Sequence, residues 1–337
     1  MTFKFNWKVF LGVVLLALAW GGGFLLLRDY QGPDVACVMG GSVYEFEPDP
    51  AQAAGSCGDL EDLSARYQRP SAAAPLENPF CFSDFMEDGR VPQFEAPEEA
   101  LYAYFGVLQD AANMLGYTGT CGTVGEGTAP YPYAYAFLSE ARQAALPFSR
   151  FEESFAGIGH ISFLKLHPAY APEGTPEHIR YYMIELEVIT GDRTDDADAR
   201  GDRSLFAYYY GIATLTDTEF EGWKIDNLQY IPEAFLCAPY HSWFYDSAYS
   251  VPIIYIENLK LFDRVTSTEE RGGLIEITAE GGGEEYRLSF VRLTNGYDIL
   301  LHEYVQKNGA WVETNLLPEQ WAYFKLTADS RGLQSRL

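Results

Sequence analysis

Basic residues are scarce in this chain: 23 lysines and arginines stand against 48 aspartates and glutamates, a formal charge of −25. A surface this acidic repels nucleic acid and anionic lipid or wall polymers, so no nucleic-acid partner is expected. Histidine is rarer still, with five residues, and the five cysteines (Cys37, Cys57, Cys81, Cys121 and Cys237) include no Cys-x-x-Cys pair and no paired histidines beside them. No zinc pattern can be assembled from such spacings. Gly-x-Ser-x-Gly is absent, and so is the Gly-Lys-Ser/Thr ending of a phosphate loop. Neither a hydrolase elbow nor a nucleotide cradle is supported, and no cofactor is expected.

Long apolar runs are also few. One is present, "KVFLGVVLLALAWGGGFLLLRD", in which Val9 to Leu27 carry no charge, with Lys4 and Lys8 before them and Arg28 and Asp29 after. About 20 apolar residues span a bilayer core, and the positive flank keeps the short side in the cytoplasm. The expectation is a cytoplasmic tail 1–8, a retained transmembrane signal-anchor 9–27, and everything from 28 onward outside the cell membrane. Ala17-Leu18-Ala19 offers a competing cleavage site, but the apolar stretch continues well past it. All five cysteines then lie where disulfides are permitted. Their connectivity and the oligomeric state stay open.

Residues 28–95 read as an extracytoplasmic spacer, rich in Ala, Pro, Ser and acid, with apolar islands such as "NPFCFSDF" able to dock on the folded module that the spacer carries. From Pro97 the period becomes helical: Leu101, Tyr104, Phe105, Leu108, Ala112 and Leu115 form one stripe. A second helix is expected over Tyr133–Leu146 and a short third one after the capping box "SRFE" at Ser149. Alternation then takes over in "HISFLKLHP", "IRYYMIELEVIT", "RSLFAYYYGIATLTD" and "FEGWKIDNLQYIP", the last two joined by a hairpin turn. Tyr182, Ile184, Leu186 and Val188 share one face, Glu185 and Glu187 the other. By the same alternation Lys224 and Asp226 form a surface pair. From 246 to 337 a β-rich module is expected, beginning with "VPIIYIENLKLFDRV".

The order helix, helix, short helix, strands, closing on Gly222-Trp223-Lys224-Ile225-Asp226, resembles the nuclear-transport-factor-2-like superfamily over about 96–232. The resemblance implies an α+β, cystatin-like cone, with helices packed on a curved antiparallel sheet, as a domain at 96–245. It also implies a pocket between helix and sheet, which some members use for isomerase or dehydratase chemistry and others leave as a scaffold. The pocket candidates are His160, Tyr182, Tyr208 and Trp223.

Catalytic residues are not assigned. A base needs an inward carboxylate or histidine with a positioned partner, and no candidate has one. The acidic loop "GDRTDDADARGDR" fails the EF-hand pattern and is expected as a solvated hairpin loop rather than a metal site. The expected function is therefore a non-catalytic, membrane-anchored scaffold or binding protein of a bacterial cell-envelope assembly. A pocket enzyme of the isomerase or dehydratase type is the alternative, and a glycan-binding surface built from the 24 tyrosines stays open.

Overall fold

The structure, a computed structural model, describes residues 37–44, 74–86, 92–114, 125–190, 205–233 and 243–328. Four long strands alternate apolar and polar residues and pair in sequence order: β3 (Ile158–Pro168), β4 (Ile179–Thr190), β5 (Leu205–Thr218) and β6 (Gly222–Pro232). Two short strands, β1 (Cys37–Val38) and β2 (Gly41–Val43), complete the sheet on the far side of β6 in the order β1-β2-β6-β5-β4-β3. All neighbours are antiparallel except β2 and β6, which run parallel through Ser42 opposite Gln229 and Val43 opposite Tyr230. A second, five-stranded antiparallel sheet has the simple order β11-β10-β9-β8-β7, from β7 (Arg264–Arg271), β8 (Leu274–Gly281), β9 (Glu284–Arg292), β10 (Asp298–Lys307) and β11 (Ala310–Thr314).

The helices are α1 (Ser83–Met86), α2 (Pro97–Gln109), α3 (Tyr131–Ala136), α4 (Glu140–Ala145), α5 (Phe148–Glu153) and α6 (Ser247–Val251). Helix α2 starts where Pro97 fits the first turn, and the Glu99 carboxylate accepts the Ala96 N–H. Its residues from Ala100 to Leu108 are buried on nearly every side except Tyr102, so α2 is an enclosed helix rather than an amphipathic surface one. Two layers enclose it. One is the β3–β6 face that carries Phe163, Ile184, Leu186, Val188, Ala213 and Leu215. The other is the segment before it, where Asn78 Nδ2 donates to Tyr102 O (2.8 Å) and Phe82 N to Asp110 Oδ2 (3.1 Å).

Several expectations need correction here. The α+β layout with a transmembrane helix gives way to a β-dominated architecture of two sheets, in which only α2 exceeds six residues among the α-helices of the described residues. The expected helix 133–146 breaks between α3 and α4 because Leu138 bridges to Ile225 and Ser139 N–H donates to Ile225 O (2.8 Å). "PIIYIEN", with its β-branched residues, is a π-helical turn (Pro252–Asn258) continuing from α6, whose start is fixed by the Asp246 side chain accepting the Ala248 N–H. The segment 28–95, expected as a spacer, contributes β1, β2 and the buried Phe82, Phe85 and Phe94 to the first core. No helix among the described residues is long and apolar enough to cross a membrane, and the expected span 9–27 lies outside them. So do the acidic loop at 191–203, Cys57, Cys121 and Cys237. The second core gathers Trp243, Phe244, Tyr255, Phe262, Leu288, Phe290 and Leu300, and so begins before residue 246.

Candidate functional site

The space between α2 and the β3–β6 sheet is filled. Leu101, Tyr104, Phe105 and Leu108 from the helix meet the sheet's aliphatic and aromatic face, and none of these four is more than 1% exposed. Ring pairs such as Phe105–Phe163 (4.5 Å) and Tyr131–Phe155 (4.7 Å) continue the packing toward the other helices. These side chains form one continuous apolar interior between the helix and the sheet.

The four sequence candidates do not converge. Tyr182 faces α2, and its hydroxyl donates to Glu98 Oε1 (2.7 Å), which joins the sheet to the first helical turn. Burial, and then the neighbouring Glu98, raise its phenol above the usual range. Tyr208 lies on the opposite face, paired across the strands with Glu187, whose carboxylate accepts its hydroxyl. Trp223 belongs to the first core, with the Arg180 guanidinium 5.8 Å from its ring. His160 is half-buried on β3 beside a strand irregularity, across from Ile189. The expected Lys224–Asp226 surface pair is also corrected. Lys224 is buried and donates to Ala136 O (3.1 Å), while Asp226 accepts from the Ser139 hydroxyl (2.7 Å).

Ionisable chemistry gathers instead on the other face of the first sheet, where the β9–β10 turn docks. Alternation sends Glu185 of β4 away from α2, and Glu233 stands just past the end of β6. Both are buried. Glu185 holds an ion pair with Lys165 of β3 and accepts the Thr294 N–H at Oε1 (2.6 Å). Glu233 accepts the Asn295 N–H at Oε2 (3.1 Å), and its Oε1 has no partner as an ionised oxygen. Burial, then the adjacent Glu185, push the Glu233 carboxyl well above its ordinary range. As a neutral acid it donates to Glu185, the arrangement that lets two carboxyl groups occupy one dry site. His167, on β3 two residues beyond Lys165, is lowered by burial and by Lys165, against a smaller opposing pull from Glu185. Tyr210, fully enclosed, and Tyr297, stacked on Tyr245 at 3.8 Å, close the region.

A second buried set lies in the second sheet. Glu303 accepts from Tyr255 Oη (2.6 Å), Lys325 Nζ (3.0 Å) and Leu316 N (3.2 Å), with Lys325 Nζ also 3.7 Å from the Tyr170 ring. Burial lowers the Lys325 ammonium, opposed by Glu303. Both sets are enclosed, so what they can do chemically is bind structure to structure and take up or release a proton. Among the described residues no group of three or more His, Cys, Asp and Glu side chains is arranged to hold a metal.

Sequence alternation placed Glu185 on the outward face correctly, but nothing in β4 shows that a turn about 110 residues later covers that face. The available signal was the pair of acids in "IELEV", an otherwise apolar strand in a chain that carries a second β-rich module.

No family model matches the chain, and no curated protein matches it. Among solved structures, an "Ntf2 like protein involved in plasmid conjugation" is similar over 55% of this chain and 92% of that one, at 10% identity and a TM-score of 0.18. A TM-score that low carries no argument for this chain.

Proposed function

We propose that this is a non-catalytic binding or scaffold protein of the cell envelope, held at the membrane through residues 9–27 with residues 28–337 outside. The filled space beneath α2 is the observation that supports it most directly. An isomerase or dehydratase needs a cavity with converging ionisable groups, and here that volume holds Tyr104, Phe105, Leu101 and Leu108. The buried acids face a docked turn and a lysine rather than an opening. An aromatic glycan platform is also disfavoured on the second sheet, where the Arg287 guanidinium covers both Tyr304 (4.5 Å) and Trp311 (4.9 Å). Two large exposed aromatics, Phe206 (59% exposed) and Phe220 (77%), remain as contact points for a partner.

Two measurements test the reading. Cys81 is exposed, so a membrane-impermeant maleimide should label it in intact cells. Labelling that occurs only after lysis overturns the export. A photo-crosslinking residue at position 206 or 220 should join the protein to a defined envelope partner. Turnover of a small-molecule substrate, lost on mutating His160 or Tyr182, would overturn the non-catalytic assignment.

A further inference from the structure

The sharpest recognition geometry in the molecule surrounds one turn of its own chain. Met39 and Gly40 both have positive φ (51° and 72°) and form the two-residue turn between β1 and β2, the hairpin geometry that favours glycine. The tip is inserted into the first core, with Met39 0% exposed. Side chains from four separate elements converge on its two peptide groups. Arg142 Nη2 of α4 donates to Gly40 O (2.7 Å), and the Ser154 hydroxyl after α5 accepts the Gly40 N–H (2.8 Å). Ser154 O accepts the Met39 N–H (3.1 Å), while the hydroxyls of Tyr104 on α2 and Tyr230 on β6 both point at Met39 O (3.4 Å each).

The site also selects by size. A Cβ at Gly40 would meet the Phe151 ring at 2.6 Å, and a Cβ at Gly41 would meet the Tyr230 ring at 2.5 Å and Leu228 O at 2.7 Å. An apolar side chain with two glycines after it is therefore what it accepts. The sheet, by contrast, holds this segment lightly, through the two residue pairs between β2 and β6 plus the Tyr44 N–H to Tyr230 O bond (2.8 Å). A segment integral to a sheet is normally held by its ladder. This one is held the way a bound peptide is, with backbone groups read by side chains and one anchor buried in an apolar pocket.

We propose that this recess and the β6 edge are a recognition site for an extended peptide carrying an apolar-Gly-Gly turn, filled in this structure by residues 38–41 acting as a tethered ligand. A tether supplies a millimolar effective concentration, so a free peptide competes only when it is abundant or when the hairpin is withdrawn. The inference extends the binding reading by naming a ligand class, and it stands whether or not the protein is exported.

The test uses the full chain with residues 37–44 replaced by an eight-residue Gly-Ser segment, and a labelled synthetic peptide spanning Ala36–Glu45 with serine in place of Cys37. Fluorescence anisotropy should show saturable binding to the replaced chain and none to the intact chain at the same peptide concentration. Met39→Asp in the peptide, or Arg142→Ala in the protein, should weaken binding by at least about tenfold, since each removes a buried anchor or a charge-assisted bond. A replaced chain that unfolds cooperatively yet binds no peptide, or binds the Met39→Asp peptide equally well, overturns the proposal. If the replaced chain does not fold, alkylation of the intact chain resolved by mass spectrometry decides. Millimolar peptide should speed labelling of the half-buried Cys37 and leave the exposed Cys81 unchanged. An unchanged Cys37 rate overturns the proposal.

Discussion

Glu233→Gln should remove a pH dependence of stability that the wild-type protein carries. In the folded protein the Glu233 carboxyl is held above its ordinary value of 4.5, first by burial and then by Glu185. The folded state therefore keeps a proton that the unfolded chain has already released. Its contribution to stability is fully present below about pH 4.5 and is lost as pH rises through the folded value. Within that window the slope is one proton, about 1.4 kcal/mol per pH unit. Between pH 5 and 7 the loss reaches at most about 2.7 kcal/mol. His167 and Lys325, both lowered by burial, contribute slopes of the opposite sign, so the difference between wild type and variant is the quantity to read. Glutamine keeps an oxygen for the Asn295 N–H and offers an N–H to Glu185 without titrating. Urea unfolding at half-unit steps from pH 5 to 8 should give two stability curves that diverge downward for the wild type. Parallel curves would refute the reasoning, because they would mean that Glu233 ionises normally in the folded state.

Other consequences concern packing and pairing. Glu303→Ala leaves the Lys325 ammonium buried without its carboxylate and should cost about 3–5 kcal/mol in denaturant unfolding. The double variant Glu303→Leu with Lys325→Met should recover most of that loss, since an apolar pair needs no counter-charge. Gly211→Ala should be among the most disruptive single-methyl changes in β5, because the new Cβ would lie 1.8 Å from the backbone oxygen of Gln229. A loss of about 3 kcal/mol is expected from thermal melts, and a neutral result would contradict the close approach of β5 to β6. Phe105→Ala should cost about 3–5 kcal/mol, while His160→Ala, half-buried and outside both cores, should cost about 0.5 kcal/mol or less.

The long strands were legible from the stretches in which apolar residues recur at every second position. Tyr182, Ile184, Leu186 and Val188 announce a buried face whichever partner they meet, and the same holds for Ile275, Ile277 and Ala279 of β8. What failed was whatever depends on a distant segment. "VMGGSV" carries a Gly-Gly hairpin signal, but strands of two and three residues have too little pattern to register, and they exist because Tyr104, Arg142 and Ser154 hold the turn between them. The single helix expected at 133–146 is interrupted where β6 captures Leu138 and Ser139 as a bridging segment. The β-branched "PIIYI" became helical because Asp246 nucleates the turn before it. Among site residues, Tyr182 and Trp223 were found as inward-facing groups, yet they serve packing. Of the acids that matter electrostatically, Glu185 was placed on the face opposite Tyr182 and Glu233 was not singled out, because alternation reports which face a residue takes and says nothing of what covers that face.

The scarcity of cations and the unusual state of Glu233 are connected. Among the described residues, Glu185 pairs with Lys165, Glu303 with Lys325 and Asp298 with Arg292, each acid side chain being 0% exposed. Breaking any of these strands a charge in a dry site, so these cations are committed to their acids. Glu233 sits beside Glu185, whose lysine is already engaged, and the Asn295 N–H it receives is a dipole rather than a charge. With 48 acids and 23 bases in the chain, one more cation drawn in to this place would leave the surface still more acidic. A proton neutralises Glu233 without that consequence. It is also the one counter-ion whose supply changes with the medium. The seam between the first sheet and the β9–β10 turn therefore weakens as pH rises through the range in which the folded Glu233 carboxyl gives up its proton.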